Sequence, residues 1–225
     1  MELGALLELL YSAGDRSRTV RATVYRRNEQ AREIDLLRAR GLYRDPPPIP
    51  PEEGSWGTTP DDVIESTTHL WAARPYWLRW ETTFSGNGVP DDTFVGVKEA
   101  ELFWHRFRDG PVCSNERREG GGTMSTEEER LLDPSALLGT YRFDVTGETT
   151  VLDRAAVQVV ATRRVGAHSH DFGLLAEELA LLVDDERGVL LRVAVIVEGE
   201  EISVTEITEI AFDEHISPEL FRPLH

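Results

Sequence analysis

A single cysteine, Cys113, is present in a chain of 225 residues. A disulfide within the chain is therefore excluded, and so is a zinc site built on several thiolates. Long apolar runs are missing too. No stretch approaches the ~18 uninterrupted apolar residues of a membrane-spanning helix. Basic residues are outnumbered: 24 Lys and Arg stand against 41 Asp and Glu, for a net charge of −17. A surface of that sign repels nucleic-acid phosphates and anionic headgroups. No nucleic-acid partner and no integral membrane segment are expected.

The usual signatures of catalysis are also absent. There is no Gly-x-Ser-x-Gly and no His-Glu-x-x-His. The run GGGTMS, residues 120–125, lacks the Gly-Lys-Ser/Thr ending of a phosphate loop. The N-terminal MELGALLELLYSAGD has no basic region ahead of its short apolar run, which carries Glu2 and Glu8. It does not read as a secretory leader. As written, the chain is expected in the cytoplasm, and exported if a leader has been removed. Neither a cofactor nor enzymatic activity is expected.

Forty per cent of the residues are hydrophobic, enough to build a real core. Residues 2–13 place Leu3, Leu6, Leu7 and Leu10 on one helical face, ended by Gly14. In TVRATVYR, Val20, Ala22 and Val24 alternate with polar neighbours, the mark of a half-buried strand. NEQAREIDLLRARG returns to helical spacing, with Asn28 placed as N-cap and Gly41 just past the C-terminus. Five prolines within residues 46–51 make 45–57 an extended surface excursion. Residues 109–124 are rich in turn formers and read as a mobile loop.

ESTTHLWAARPYWLRWETT predicts two strands broken at Arg74-Pro75. GVKEAELFWHRFRDG predicts one strand, carrying Phe103, His105 and Phe107. STEEERLLD has a capping-box pattern in Ser125 and Glu128 and opens a short helix, its acidic run a solvated face. TYRFDVTG and AAVQVVATRR alternate as strands. Residues 174–212 hold three more, with returns near Gly188 and Gly199. About eight strands and two or three helices, without a βαβ rhythm, make an α+β fold with one large antiparallel sheet. The strand Val189–Val197 is apolar on both faces except at Arg192, so each face should be covered. A curved sheet wrapped around helices fits, with Phe221, framed by Pro218 and Pro223, plugging an edge.

These residues resemble a known family, the LolA-like lipoprotein-carrier superfamily with its RseB-type sensor domains. LLVDDERGVLLRVAV, SVTEITEIAFDEHI and the ending SPELFRP carry the likeness. LWAARPYWLRWE is similar to an earlier strand pair, and LLDPSALLGTYRFDVTGETTVLDRAAVQVVATRR to the middle of actinobacterial members. The resemblance implies one LolA-like domain over 1–225, an unclosed β-barrel with helices as a lid over an apolar cavity. In relatives such cavities hold acyl chains, and in sensor relatives the fold joins a protein-binding module.

Six aromatics are candidates for ligand binding: Trp71, Tyr76, Trp77, Trp80, Phe103 and Trp104. They either line an apolar cavity or pack as ordinary core. His168 and His170 share a face if extended, but Asp171 would point away and a third metal ligand is missing. Cys113 lies near Arg117 and Arg118, which favour a thiolate, yet no base accompanies it. The function expected is a non-enzymatic binder of a lipid or acyl-type ligand, without charged partners for it. The alternative is a protein-interaction or regulatory module whose cavity is filled by its own side chains.

Overall fold

The structure is a computed structural model, and it describes residues 1–42, 63–75, 77–85, 92–100, 102–107, 110–115, 127–166, 172 and 175–222. The Pro-rich 45–57, most of 109–124, Tyr76 and the His168–Asp171 stretch lie outside the described residues. The first part of the chain runs α1 (Leu3–Ser12), β1 (Thr19–Glu29), α2 (Gln30–Ala39), β2 (Val63–Ala73), β3 (Trp77–Ser85), β4 (Asp92–Glu99), β5 (Leu102–Phe107) and β6 (Cys113–Asn115). Then come α3 (Glu127–Leu132), α4 (Leu137–Thr140), β7 (Tyr141–Val151), β8 (Arg154–Arg163), β9 (Glu178–Asp184), β10 (Leu190–Val197) and β11 (Glu200–Phe212). A 3-10 turn, Pro218–Phe221, ends the described chain.

All eleven strands belong to one antiparallel sheet, in the order β6-β5-β4-β3-β2-β1-β11-β10-β9-β8-β7. It curves but does not close into a barrel, so the α+β half-barrel expected from the sequence is the fold observed. β1 is the middle strand, and a meander runs outward from it on each side. The turns obey local stereochemistry. Glu198 and Gly199 both have positive φ, 55° and 84°, the paired left-handed residues of a tight hairpin that matches strand twist.

The core lies on one face of the sheet. Val20, Ala22 and Val24 of β1, Leu70 of β2, Val157 and Val159 of β8, Leu179 and Leu181 of β9, and Val193 and Val195 of β10 are buried together. Leu6, Leu9 and Leu10 of α1, Leu131 and Leu132 of α3, and Leu137 of α4 join the same cluster. On α1 the buried stripe is Leu6, Leu9, Leu10 and then Ala13, whereas Leu3 and Leu7 are exposed. The stripe is rotated because α1 presses on the β9–β10 turn. A Cβ added at Gly188, φ 76°, would meet the Leu9 carbonyl oxygen at 2.5 Å.

Three expectations change. The stretch 96–107 is not one strand: it reverses at Ala100, φ 52°, between β4 and β5. No glycine or proline announces that turn, so alternation was read straight through it. Asn28 does not cap α2; it is the penultimate residue of β1, and its side-chain amide donates to Glu33 at 2.8 Å. The helical leucines reach one face of the sheet, not both. On the other face of β10, Ala194 is buried, while Arg192 is half-buried and pairs with Glu201 at 2.6 Å.

At the end of β9 a buried carboxylate organises the turn to β10. Asp184 accepts from the backbone N–H of Arg187 at 2.7 Å and of Glu186 at 3.1 Å, and from the Arg154 guanidinium. Arg154 and Arg187 in turn lie 5.0 and 5.3 Å from the ring centre of Phe212. A buried charge is tolerated here because several donors converge on it.

The C-terminal tail folds back over the outer face of β3 and β4. Phe221 is 3% exposed and meets Trp77 edge-on, with ring centres 5.4 Å apart. Arg79 donates to the Leu220 carbonyl at 3.1 Å. Beside this cover, Val97 is fully buried on a face that is otherwise half-exposed. Removing the ring leaves a cavity against Trp77, so Phe221→Ala is expected to cost about 3 kcal/mol. Urea denaturation measures it, and an unchanged midpoint and slope would mean the tail contributes no packing.

Candidate functional site

Strand alternation sorts five of the six candidate aromatics, Tyr76 lying outside the described residues. Directly opposed residues in an antiparallel ladder share a face. Trp71, Arg79, Val97 and Trp104 form one such row across β2 to β5. Leu70, Trp80, Gly96, His105 and Cys113 form the adjacent row, on the opposite face. Because Leu70 and Trp80 belong to the core cluster, the second row faces inward, toward the helices. Trp80 and Phe103 are thus brought together on the inner face. Trp71, Trp77 and Trp104 lie on the outer face, where Trp77 is taken up by Phe221.

The inner face of β3, β4 and β5 carries an aromatic strip. Trp80 stacks parallel on Phe103, 5.4 Å between ring centres and 6° between planes. Phe103 stacks on His105 at 5.0 Å, His105 on Phe94 at 5.7 Å, and Phe94 meets Phe107 edge-on at 5.0 Å. One glycine makes the first contact possible. Trp80 and Phe103 sit on strands separated by β4, and the indole crosses β4 directly above Gly96. A Cβ at Gly96 would lie 2.4 Å from the indole ring.

Exposure rises along the strip. Trp80 is 4% exposed, Phe94, Phe103 and His105 are half-buried, and Phe107 is 44% exposed. Leu70 and Trp80 are enclosed in the core, and burial decreases from there toward Phe107. The strip therefore offers flat apolar area at a rim, adjoining a closed core.

Charge enters from α3. Lys98 lies on the inner face of β4, directly opposite Leu78 and Phe103, and its Nζ is 2.6 Å from Glu129 Oε1. Arg26, on the inner face of β1, pairs with Glu127 at 3.0 Å. The first turn of α3 is thus tied to two strands by two ion pairs. Between them the floor is polar, with Ser66, Thr68 and Thr82 buried and the two threonine hydroxyls 2.9 Å apart. Sequence reading passed over this half of the site. The signal was present in TFVGVK, where Phe94, Gly96 and Lys98 alternate on one face, but it stood next to the unmarked turn at Ala100.

Elsewhere, a shallow open depression of about 280 Å³ lies at one end of β8 to β10, lined by Arg40, Thr162, Glu177, Glu178, Ile196 and Glu198 among others. Its lining is polar and acidic, and Arg40 is already paired with Glu177 at 2.6 Å. It suits neither an acyl chain nor an anion. Among the described residues no three His, Cys, Asp or Glu side chains gather to hold a metal. Cys113 is exposed and lies opposite His105 on β5, while Arg117 and Arg118 lie outside the described residues. No helix among the described residues is long and apolar enough to cross a membrane.

The two largest effects on the carboxyl of Glu127 oppose each other. Burial pushes it above its ordinary range, and the nearby Arg26 pulls it partly back. A carboxyl whose pKa is raised on folding supports the fold below the unfolded value of about 4.3, and that support is lost as pH rises through the folded value. Glu127→Gln should therefore gain stability relative to the parent chain as pH rises from about 4 to 7. Urea midpoints at the two pH values test this; the opposite trend would mean that Arg26 outweighs burial. For the strip, Gly96→Ala should displace the Trp80 ring and destabilise by about 1–3 kcal/mol through overpacking. Unchanged near-UV circular dichroism and midpoint would refute that contact.

No protein-family model matches the chain, and no curated protein does. Solved structures do. MucB aligns with a TM-score of 0.54 and 16% identity, covering 97% of this chain and 62% of MucB. The MucA/MucB complex of Pseudomonas aeruginosa gives 0.50 and 15%, covering 96% of this chain and 59% of the other. An uncharacterized conserved protein from Thermus thermophilus gives 0.51 and 12%, covering 96% and 91%. The chain spans about three fifths of MucB's length. At these identities the likeness shows the fold alone, an unclosed curved antiparallel sheet like that of MucB, in keeping with the fold the resemblance implied.

Proposed function

We propose that the chain is a non-enzymatic binding protein that takes an acyl-type apolar ligand on the inner face of β3 to β5. One observation carries this reading: the graded strip Trp80, Phe103, Phe94 and Phe107 passes from full burial to 44% exposure without a break in ring contacts. Flat rings fixed by stacking give contact area at small entropic cost. Core packing alone accounts for Trp80. It does not account for a continuous aromatic face continuing out to the open rim. Burying a decyl chain there gains about 25 cal/mol for each Å² removed from water.

The second reading is a regulatory module that binds a protein partner. It is supported by a fold neighbour, since MucB is seen in complex with MucA(peri). On this reading the strip receives apolar side chains of another protein.

Native mass spectrometry after incubation with a monoacylglycerol separates the two. The proposal expects a retained adduct of one lipid mass. Phe107→Asp places a charge at the exposed end and should weaken retention about tenfold, a change of about 1.4 kcal/mol. Absence of any adduct in the folded parent protein would leave the protein-partner reading.

A further inference from the structure

The aromatic strip ends on a cation. Lys98 is directly opposite Phe103 in the β4–β5 ladder, and Phe103 is the residue on which Trp80 and His105 both stack. The Lys98 side chain is 13% exposed, and its ammonium already holds one carboxylate, that of Glu129 on α3 at 2.6 Å. From Phe103 to Phe107 the strip runs four residues along β5, about 13 Å, the reach of a medium acyl chain. Apolar area of that length ending at a lysine already bound to a carboxylate has the form of a site for a carboxylate with a tail.

We propose that Lys98 is the head-group contact for a single-chain carboxylate amphiphile, and that Glu129 holds this contact until such a ligand displaces it. This rests on the acyl-binding reading and adds the chemistry of the head. Exchange of one carboxylate for another leaves Lys98 paired throughout, so no buried charge is stranded. Glu129 is twice as exposed as its partner, 27% against 13%, and is therefore the member of the pair that can give way toward solvent. Internal occupation lowers the apparent affinity by the fraction of molecules in which Lys98 is taken. It also makes the site selective: an alcohol of the same chain length gains the strip and not the ammonium. The charge contact makes binding sensitive to salt, contrary to the expectation of a ligand bound without charged partners.

The test compares decanoate with decanol by intrinsic tryptophan fluorescence, below micelle formation, at low and high salt. For the parent protein decanoate should bind more tightly than decanol, and only decanoate should weaken in salt. Glu129→Gln should tighten decanoate about tenfold and leave decanol unchanged. Lys98→Met should bring decanoate to the level of decanol, and Lys98→Arg should retain the preference, which guards against a folding defect in the methionine variant. Identical behaviour of both probes in all variants overturns the head-group assignment while leaving the aromatic strip in place. Failure of the folded parent protein to bind either probe removes the strip as a ligand site, and the assignment with it.

Discussion

Everything in this molecule hangs on β1. It is hydrogen-bonded to β2 on one side and to β11 on the other, and through it two five-stranded meanders become one sheet. Each meander needs only local turns; joining them needs pairing between residues far apart in the chain, such as Val20 with Phe212. Contacts of that separation are slow to form and strongly dependent on register. The end of the seam is accordingly fixed by polar groups. Asp213 accepts the Arg18 N–H at 2.8 Å and meets the Arg187 guanidinium at 3.1 Å, while its own N–H bonds the Thr19 carbonyl. The Arg18 N–H and, less strongly, Arg187 draw the Asp213 carboxyl below its ordinary range.

A sheet that curves without closing has an inner face with no counterpart sheet, so helices must cover it. α1, α3 and α4 supply buried leucines to the core around β1 and β7 to β11. On the inner face burial falls from Trp80 toward Phe107, and that is where the aromatics collect. Large rings line this part of the inner face, at the cost of leaving Phe107 in contact with water. On the outer face the same problem at β3–β4 is solved by the tail, with Phe221 over Trp77 and Val97 buried beside it. One architecture thus uses aromatics in two ways: sealed where a tail covers them, and open where none does.

The fold was legible because its evidence is local. Alternation at Val20, Ala22 and Val24, the turn glycines 188 and 199, and the Leu-rich first helix each report a short stretch of chain; the structure assembles them as elements, with the buried face of the helix rotated to Leu6, Leu9 and Leu10. The anchoring role of Phe221 was legible for the same reason, from its frame of prolines. The site was harder. Which of the clustered tryptophans faces inward depends on register, and the turn at Ala100 has no sequence marker. Lys98 and Glu129 are 31 positions apart, on elements whose meeting depends on the curvature of the whole sheet. Gly96 gave no signal because its value lies in what crosses it, an indole from the neighbouring strand.

The charge balance then acquires a second meaning. With a net charge of −17, the surface disfavours anionic vesicles and micelles, while screening confines that repulsion to about 8 Å at physiological salt. On the proposed reading, a single anionic chain that passes this layer would meet two cations on the inner face, Arg26 and Lys98, each already held by a glutamate of one short helix. Long-range attraction is therefore absent, and recognition begins only at contact. At Lys98, whose side chain is 13% exposed, water is largely excluded and the same charge is worth more than at the surface. Acidity outside and paired cations inside together favour a solitary ligand over an aggregate, without any attraction acting from a distance.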